Sequence, residues 1–327
     1  MLERLRQPWT DQRAGRMLGA LASLVLITII LMVLFVAKEA WPMFQHNGLR
    51  WLGPGGDVDQ QIGQMVNTGA NPSGADFHFR AWSLIWGTML TTGFAVLFGL
   101  IFAVLASIFI VEFAPDRLRR IIVPAVRLLA AVPSVIYGLI GILVLVPFVG
   151  SHIISQGDKK SVEQVVQING SSLLVAVMVL TVMIVPIMIA MTVDALQSVP
   201  RGWKEGSLAL GVNRWRAMWS VSLRAARPAI IASVIFATAR ALGEAIMLSM
   251  VAGSRGFAPN PFDGFLFLLE PLRPVASTIV ENAESLQAPA VRSMVYALAL
   301  LLLFSSLTLS IAGYLAKRPL KKYGLNS

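Results

Sequence analysis

Cysteine is absent from this 327-residue chain, histidine occurs three times, and Asp, Glu, Lys and Arg together supply only 13% of the residues. The first absence excludes disulfides, thiolate chemistry and Cys-based metal sites. The second leaves His46, His78 and His152 far apart in sequence, with neither a His-Glu-x-x-His pattern nor a Gly-x-Ser-x-Gly turn, so the reacting groups of an intramembrane enzyme are missing. No Gly-x4-Gly-Lys-Ser/Thr phosphate loop occurs either. The chain is therefore read as a non-enzyme with no metal and no cofactor, and without a nucleotide-binding loop of its own.

What replaces charge is apolar surface: 56% of the residues are hydrophobic and the mean hydropathy is +0.71. Lipid is the solvent such a chain requires, and a hydrocarbon layer about 30 Å thick needs about 20 apolar residues per helix. Apolar stretches at 17–37, 82–111, 128–150, 171–193, 228–254 and 293–316 meet that length, all but the fifth free of charge. An all-α membrane protein with about six transmembrane helices is expected, organised as an N-terminal segment 1–16, a transmembrane domain 17–316 that includes a long loop 194–227, and a tail 317–327. The first apolar run exceeds the usual signal-peptide core and lacks a convincing cleavage site, so it reads as an uncleaved anchor.

The net charge of +10 is spread between the spans, not gathered into the stripe a nucleic acid would need. Its clusters are Arg4 to Arg16, Arg117 to Arg127, Arg201 to Arg227 and Lys317 to Lys322. They hold 18 of the 27 Lys and Arg and share one side of a six-span arrangement. The positive-inside rule makes that side cytoplasmic, together with both termini. The outer segments 38–81, 151–170 and 255–292 hold Asp57, Asp59, Asp158, Glu163, Glu270 and Glu281 among other acids. Turn formers such as Gly53-Pro54-Gly55-Gly56 predict irregular chain in the first, and 275–285 predicts a short amphipathic helix outside the membrane.

Two spans carry interruptions. Pro133 falls near the middle of the third; it removes a backbone hydrogen bond and frees a carbonyl that Ser134 or water in a cavity could satisfy. A packing kink explains Pro133 equally well. The fifth span contains Arg240 and Glu244, charges that cost about 2.5–3.5 kcal/mol each at mid-membrane and should face protein, water or each other. Their i, i+4 spacing predicts one helix face. A structural ion pair and an oxyanion site, for which the guanidinium fork is suited, are both open on this evidence.

The loop 194–227 contains Glu205-Gly206-Ser207, three residues to Gly211, then nine to Val221-Ser222-Leu223. A helix ending at the Gly211 cap and a second short helix at an angle to it are expected. This spacing resembles the coupling motif of ABC importer permeases, Glu-Ala-Ala, three residues, Gly, nine residues, Ile-x-Leu-Pro, with Gly206, Ser207, Val221 and Arg224 as departures. Together with Ala130-Ala131-Val132-Pro133-Ser134, Arg240-Ala241-Leu242-Gly243-Glu244 and Glu281-Asn282-Ala283-Glu284, it resembles the PstC-type permease subunit of the phosphate ABC importer. That resemblance implies a site in the bacterial cytoplasmic membrane, in contact with membrane lipid, and half of a pore shared with a homologous PstA-type permease. It also implies two PstB-type ATPases engaging Glu205, Gly206, Ser207, Gly211, Val221 and Leu223, and a PstS-type phosphate-binding protein outside. Arg240, Glu244, Ser134 and Pro133 would line the substrate path. A permease for sulfate, molybdate or phosphonate is the nearest rival. A lone secondary transporter would be favoured by inverted repeats, which the sequence does not display.

Overall fold

The computed structural model describes residues 7–68, 72–155 and 168–317, so Asp158 and Glu163 and most of the 317–327 tail lie outside the described residues. Among the described residues the chain is helical apart from one isolated parallel bridge between Gly253 and Leu272, and six helices are long and apolar enough to cross a membrane. They are α1 (Gln7–Asn47), α3 (Trp82–Ile108), α5 (Ser134–Ile153), α6 (Leu173–Gln197), α8 (Arg214–Leu242) and α11 (Pro289–Lys317). Shorter helices fill the connections: α2 (Val58–Asn67), α4 (Asp116–Ala130), α7 (Arg201–Ala209), α9 (Ile246–Val251) and α10 (Val275–Glu281).

Helix α6 is the centre of the bundle. It is apolar on every face, as a helix without a solvent side must be, and Leu180, Met183, Ile184 and Met188 are fully enclosed by α3, α8 and α4. Its start is fixed by Ser172, whose hydroxyl accepts from the Val175 amide at 3.4 Å. By contrast, α1 is exposed from Arg13 to Phe35 and packs only through its far half, where Ala40 and Met43 are buried and Glu39 lies 3.1 Å from Arg292 at the start of α11.

The third and fifth spans differ from the expected continuous runs. The uncharged stretch 128–150 belongs to two helices, because α4 ends at Ala130 and α5 starts at Ser134. Proline disfavours the helical region for the residue before it and cannot donate to the preceding turn, so Val132-Pro133 closes one helix and opens the next. Pro133 is the N-cap of α5, not a kink within a span. Likewise 228–254 is the end of α8, a break at Gly243-Glu244-Ala245, and the separate α9. The two breaks are neighbours, since a Cβ on Gly138 of α5 would stand 3.1 Å from the Met247 Cα of α9. Only glycine permits that approach.

The described parts of the first outer segment, 48–68 and 72–81, are more ordered than their turn-rich composition predicts. Trp51, Val58, Met65, Phe77 and Phe79 are buried with Met43 of α1 and Val291 and Met294 of α11, forming a second core at the far end of the bundle. Asn47 joins its two ends, donating to the Phe77 carbonyl at 2.5 Å and accepting from the Phe79 amide at 3.2 Å. Helix α10 is also no surface helix: Val275 to Thr278 are buried between α3, α9 and α11.

Candidate anion site and coupling surface

Arg240 lies in the last turn of α8, where its charge complements the negative end of the helix. It is partly buried, and its Nε is shielded from solvent with no hydrogen-bond partner among the described residues. The ion pair suggested by the i, i+4 spacing is not formed. Gly243 ends the helix, so Glu244 leaves the shared face; its Oε1 accepts from the Met247 amide at 3.3 Å and caps α9. Glu244, 9% exposed, thus has a backbone task of its own. An enclosed guanidinium N–H without an acceptor costs free energy, which an incoming acceptor would recover.

Across from Arg240, the start of α5 presents Ser134 and Tyr137, both partly buried. The Leu129 carbonyl at the helix break accepts from the Val132 amide at 3.2 Å and from the Tyr137 hydroxyl at 2.9 Å, not from Ser134. Tyr137 stands within electrostatic reach of Arg240. Its participation was not evident from the motif, although a tyrosine one turn past a proline cap is placed to reach back over the break.

The arginine-rich end carries the second surface. Helix α7 stops at Ala209 and Gly211 adopts φ +82°, with Gly211 N–H donating to Leu208 at 3.0 Å and Val212 N–H to Ser207 at 3.3 Å. This paired closure is the Schellman arrangement, which needs a left-handed residue at that position. Asn213 then caps the next turn by accepting from the Arg216 amide at 2.7 Å. The expected second short helix is the first part of α8 itself, widened at Met218–Ser222, so Val221 and Leu223 lie within a span-forming helix. Glu205 and Gly206 are exposed and Ser207 is partly buried. Lys204 pairs with Glu112, whose side chain is only 6% exposed, fastening α7 to the end of α3. Arg127 and Asp194 make a second tie at 2.9 Å between α4 and α6. Phe113, Trp215 and Trp219 form an aromatic row beside them, with both tryptophans about half exposed.

A bundle of apolar helices with two adjacent span breaks at its middle and an exposed helix–glycine–helix corner at its basic end defines a membrane permease. The chain belongs to the family described as binding-protein-dependent transport system inner membrane component, whose model matches residues 99–321. It is similar to phosphate transport system permease protein PstC 1 of Mycobacterium bovis, 30% identical over 290 residues that cover 84% of this chain and 83% of that one. Phosphate transport system permease protein PstC of Pasteurella multocida is 31% identical over 250 residues, 73% of this chain and 75% of that one. The fold is similar to a chain of a bacterial alginate ABC transporter solved with its periplasmic protein, with a TM-score of 0.56 at 15% identity over 96% of this chain and 98% of that one.

Proposed function

We propose that this chain is the PstC-type subunit of an ATP-driven phosphate importer, with its termini and the 194–227 loop in the cytoplasm. It would pair with a PstA-type permease, two PstB-type ATPases and a PstS-type binding protein. The names of its relatives support the cargo, and the placement of basic clusters at one end supports the orientation. The observation that carries the transport role is Arg240, partly buried with an enclosed Nε that lacks an acceptor among the described residues, while its expected carboxylate partner is occupied elsewhere. In this reading Arg240 receives a phosphate oxygen. Ser134 and the first amides of α5, opened by Pro133, supply further donors, and Glu244 fixes the break that holds Arg240 at the end of α8.

Coupling follows from continuity of one element. Helix α8 begins in the loop that the ATPases would grip and ends at the Arg240 turn; its 29 residues span roughly 43 Å at 1.5 Å per residue. A tilt imposed at α7 and Val221–Leu223 would therefore be carried to Arg240 along one helix, through the widened turn at Met218–Ser222 and past Pro228.

The test is labelled phosphate uptake per assembled complex. Arg240→Gln, alone and with Glu244→Gln, should assemble and bind ATP yet fail to move phosphate. Arg240→Lys should also be impaired, because a point charge lacks the guanidinium fork. Near wild-type uptake by the double variant would reduce Arg240 to a packing residue, and uptake abolished by excess sulfate would move the cargo to another oxyanion.

A further inference from the structure

At the far end of α9 from Arg240 stands a second arginine with the opposite surroundings. Arg273 Nη1 is 2.8 Å from Asp59 of α2, Nε is 2.9 Å from Glu281 of α10, and Nη2 donates to the Ser254 carbonyl at 2.5 Å. Its side chain is 15% exposed. The Asp59 and Glu281 contacts act as charge pairs more than as aligned hydrogen bonds, since Nε of Arg273 and Oδ1 of Asp59 lack well-directed partners. Asp59 also accepts from the Gly256 amide at 3.2 Å through its other oxygen.

The cluster is bolted to α9. Ser254, three residues past its end, stands at φ +48°, a left-handed conformation costly for a residue with a Cβ. It is held there by two contacts of its hydroxyl, to Glu281 at 2.5 Å and to the Ser249 carbonyl of α9 at 3.2 Å. The backbone adds Leu272 N–H to Ala252 at 2.9 Å, so Arg273 cannot shift without moving the end of α9. The other end of α9 begins at the Glu244 cap. Six residues of helix, about 9 Å long at 1.5 Å per residue, thus separate the cluster from the Arg240 break.

Helix α2 completes the chain of contacts. Val58, Ile62 and Met65 face inward, while Gln60, Gln64 and Asn67 are exposed, so α2 presents an amide-rich outer face and its single inward charge, Asp59, to Arg273. We infer that Arg273 is a positioning residue through which the outer helix α2 sets the placement of α9 and, with it, the Arg240–Glu244 end of the transport path. Displacement of α2 would move Asp59 and, through Arg273 and the Ser254 turn fastened to Ser249 and Glu281, the end of α9. This inference rests on the transport reading of Arg240 only for its consequence, not for the mechanical link.

The link is tested by amide hydrogen exchange on the full chain in its assembled complex in lipid nanodiscs. Asp59→Asn removes one charge without altering shape. It should accelerate exchange across 245–252, the Met247 amide included, by on the order of tenfold, the scale of a site-to-site coupling. Arg273→Gln should accelerate it more, since α10 is released as well. Phosphate uptake per complex should fall in the same order. Loosening confined to α2, with 245–252 as protected as in the wild type, would overturn the proposal. Because exchange does not depend on cargo, a wild-type complex that transports no phosphate would refute the cargo and leave this result to stand by itself.

Discussion

Arg240 and Arg273 bracket the same short helix and each encloses an Nε without a well-directed acceptor, yet only Arg273 is held by two carboxylates and a carbonyl, while Arg240 has no ion pair among the described residues. In a medium with little water, each arrangement has a meaning. A charge gripped on several sides is stabilised where it is and resists displacement. An enclosed charge left with spare donors is a standing cost to the fold unless something transient satisfies it. The pair therefore separates a fixed joint from a place where cargo can dwell, on two sides of a helix only six residues long.

The largest expected contrast between them is in what a neutral replacement does. Arg240→Gln should reduce phosphate uptake by at least about 10-fold, the loss of one or two charge-assisted hydrogen bonds at about 1.5–3 kcal/mol each. Its complex should retain wild-type thermal stability. Arg273→Gln should do the reverse in order of severity: it leaves Asp59 and Glu281 facing each other partly buried, for which the lower part of the about 3–5 kcal/mol range applies. The yield of folded complex and its Tm are the measurements. Equal destabilisation by both variants would erase the distinction drawn here.

How much of this could be read from the sequence depends on how local each feature is. The number of spans, six, was legible from long apolar runs, since burial in lipid leaves that signature even where Arg240 and Glu244 interrupt the fifth. Gly211 was legible because a helix followed by glycine has one common ending, and φ +82° is that ending. The interruptions at 131–133 and 243–245 were half legible. Pro133 and the buried charges were visible, but an apolar run does not report whether it is one helix or two, and the i, i+4 count for Arg240 and Glu244 assumed a helix that Gly243 ends. The 48–81 cap and the Arg273 cluster were not legible. Their members, Asp59, Ser254, Gly256, Arg273 and Glu281, meet from four separate stretches of chain, and no spacing rule connects them.

The arginine-rich end extends the comparison to a lysine. Lys204 pairs with Glu112, which is more deeply buried than either carboxylate around Arg273. Removing the lysine strands that carboxylate, and Lys204→Met should lower stability by about 1–3 kcal/mol, while Lys204→Met with Glu112→Gln should recover most of it. Coupling is a separate matter: the double variant loses the tie between α7 and α3, so ATP hydrolysis by the complex should continue with less phosphate moved per ATP. Full coupling in the double variant would show that the tie only supports the fold. Gly211→Val probes the same corner. No neighbouring atom lies within 4 Å of where its Cβ would go, so any loss must come from the backbone; the left-handed conformation costs at least about 1–2 kcal/mol for a residue with a Cβ. Reduced assembly with the ATPase subunits is the expected readout.

The last contrast concerns a carboxylate with no cationic partner among the described residues. Glu270 is 6% exposed, and one of its oxygens, Oε2, is buried without a partner. Burial pushes its carboxyl up to about 7; a hydrogen bond from the Asn260 backbone pulls it down and the charge of Asp263 raises it again. The folded chain thus holds this proton above the ordinary carboxylate value of 4.5. The stabilising contribution is complete below that value, declines as pH rises towards 7, and is lost above it. Glu270→Gln keeps a neutral side chain at every pH. It should match the wild type at pH 5 and exceed it at pH 8, by about 2–4 °C in Tm for each kcal/mol recovered. If the wild type were instead the more stable at pH 8, Glu270 would have a cationic partner, and its place in the comparison would pass from the unpaired charges to the gripped ones.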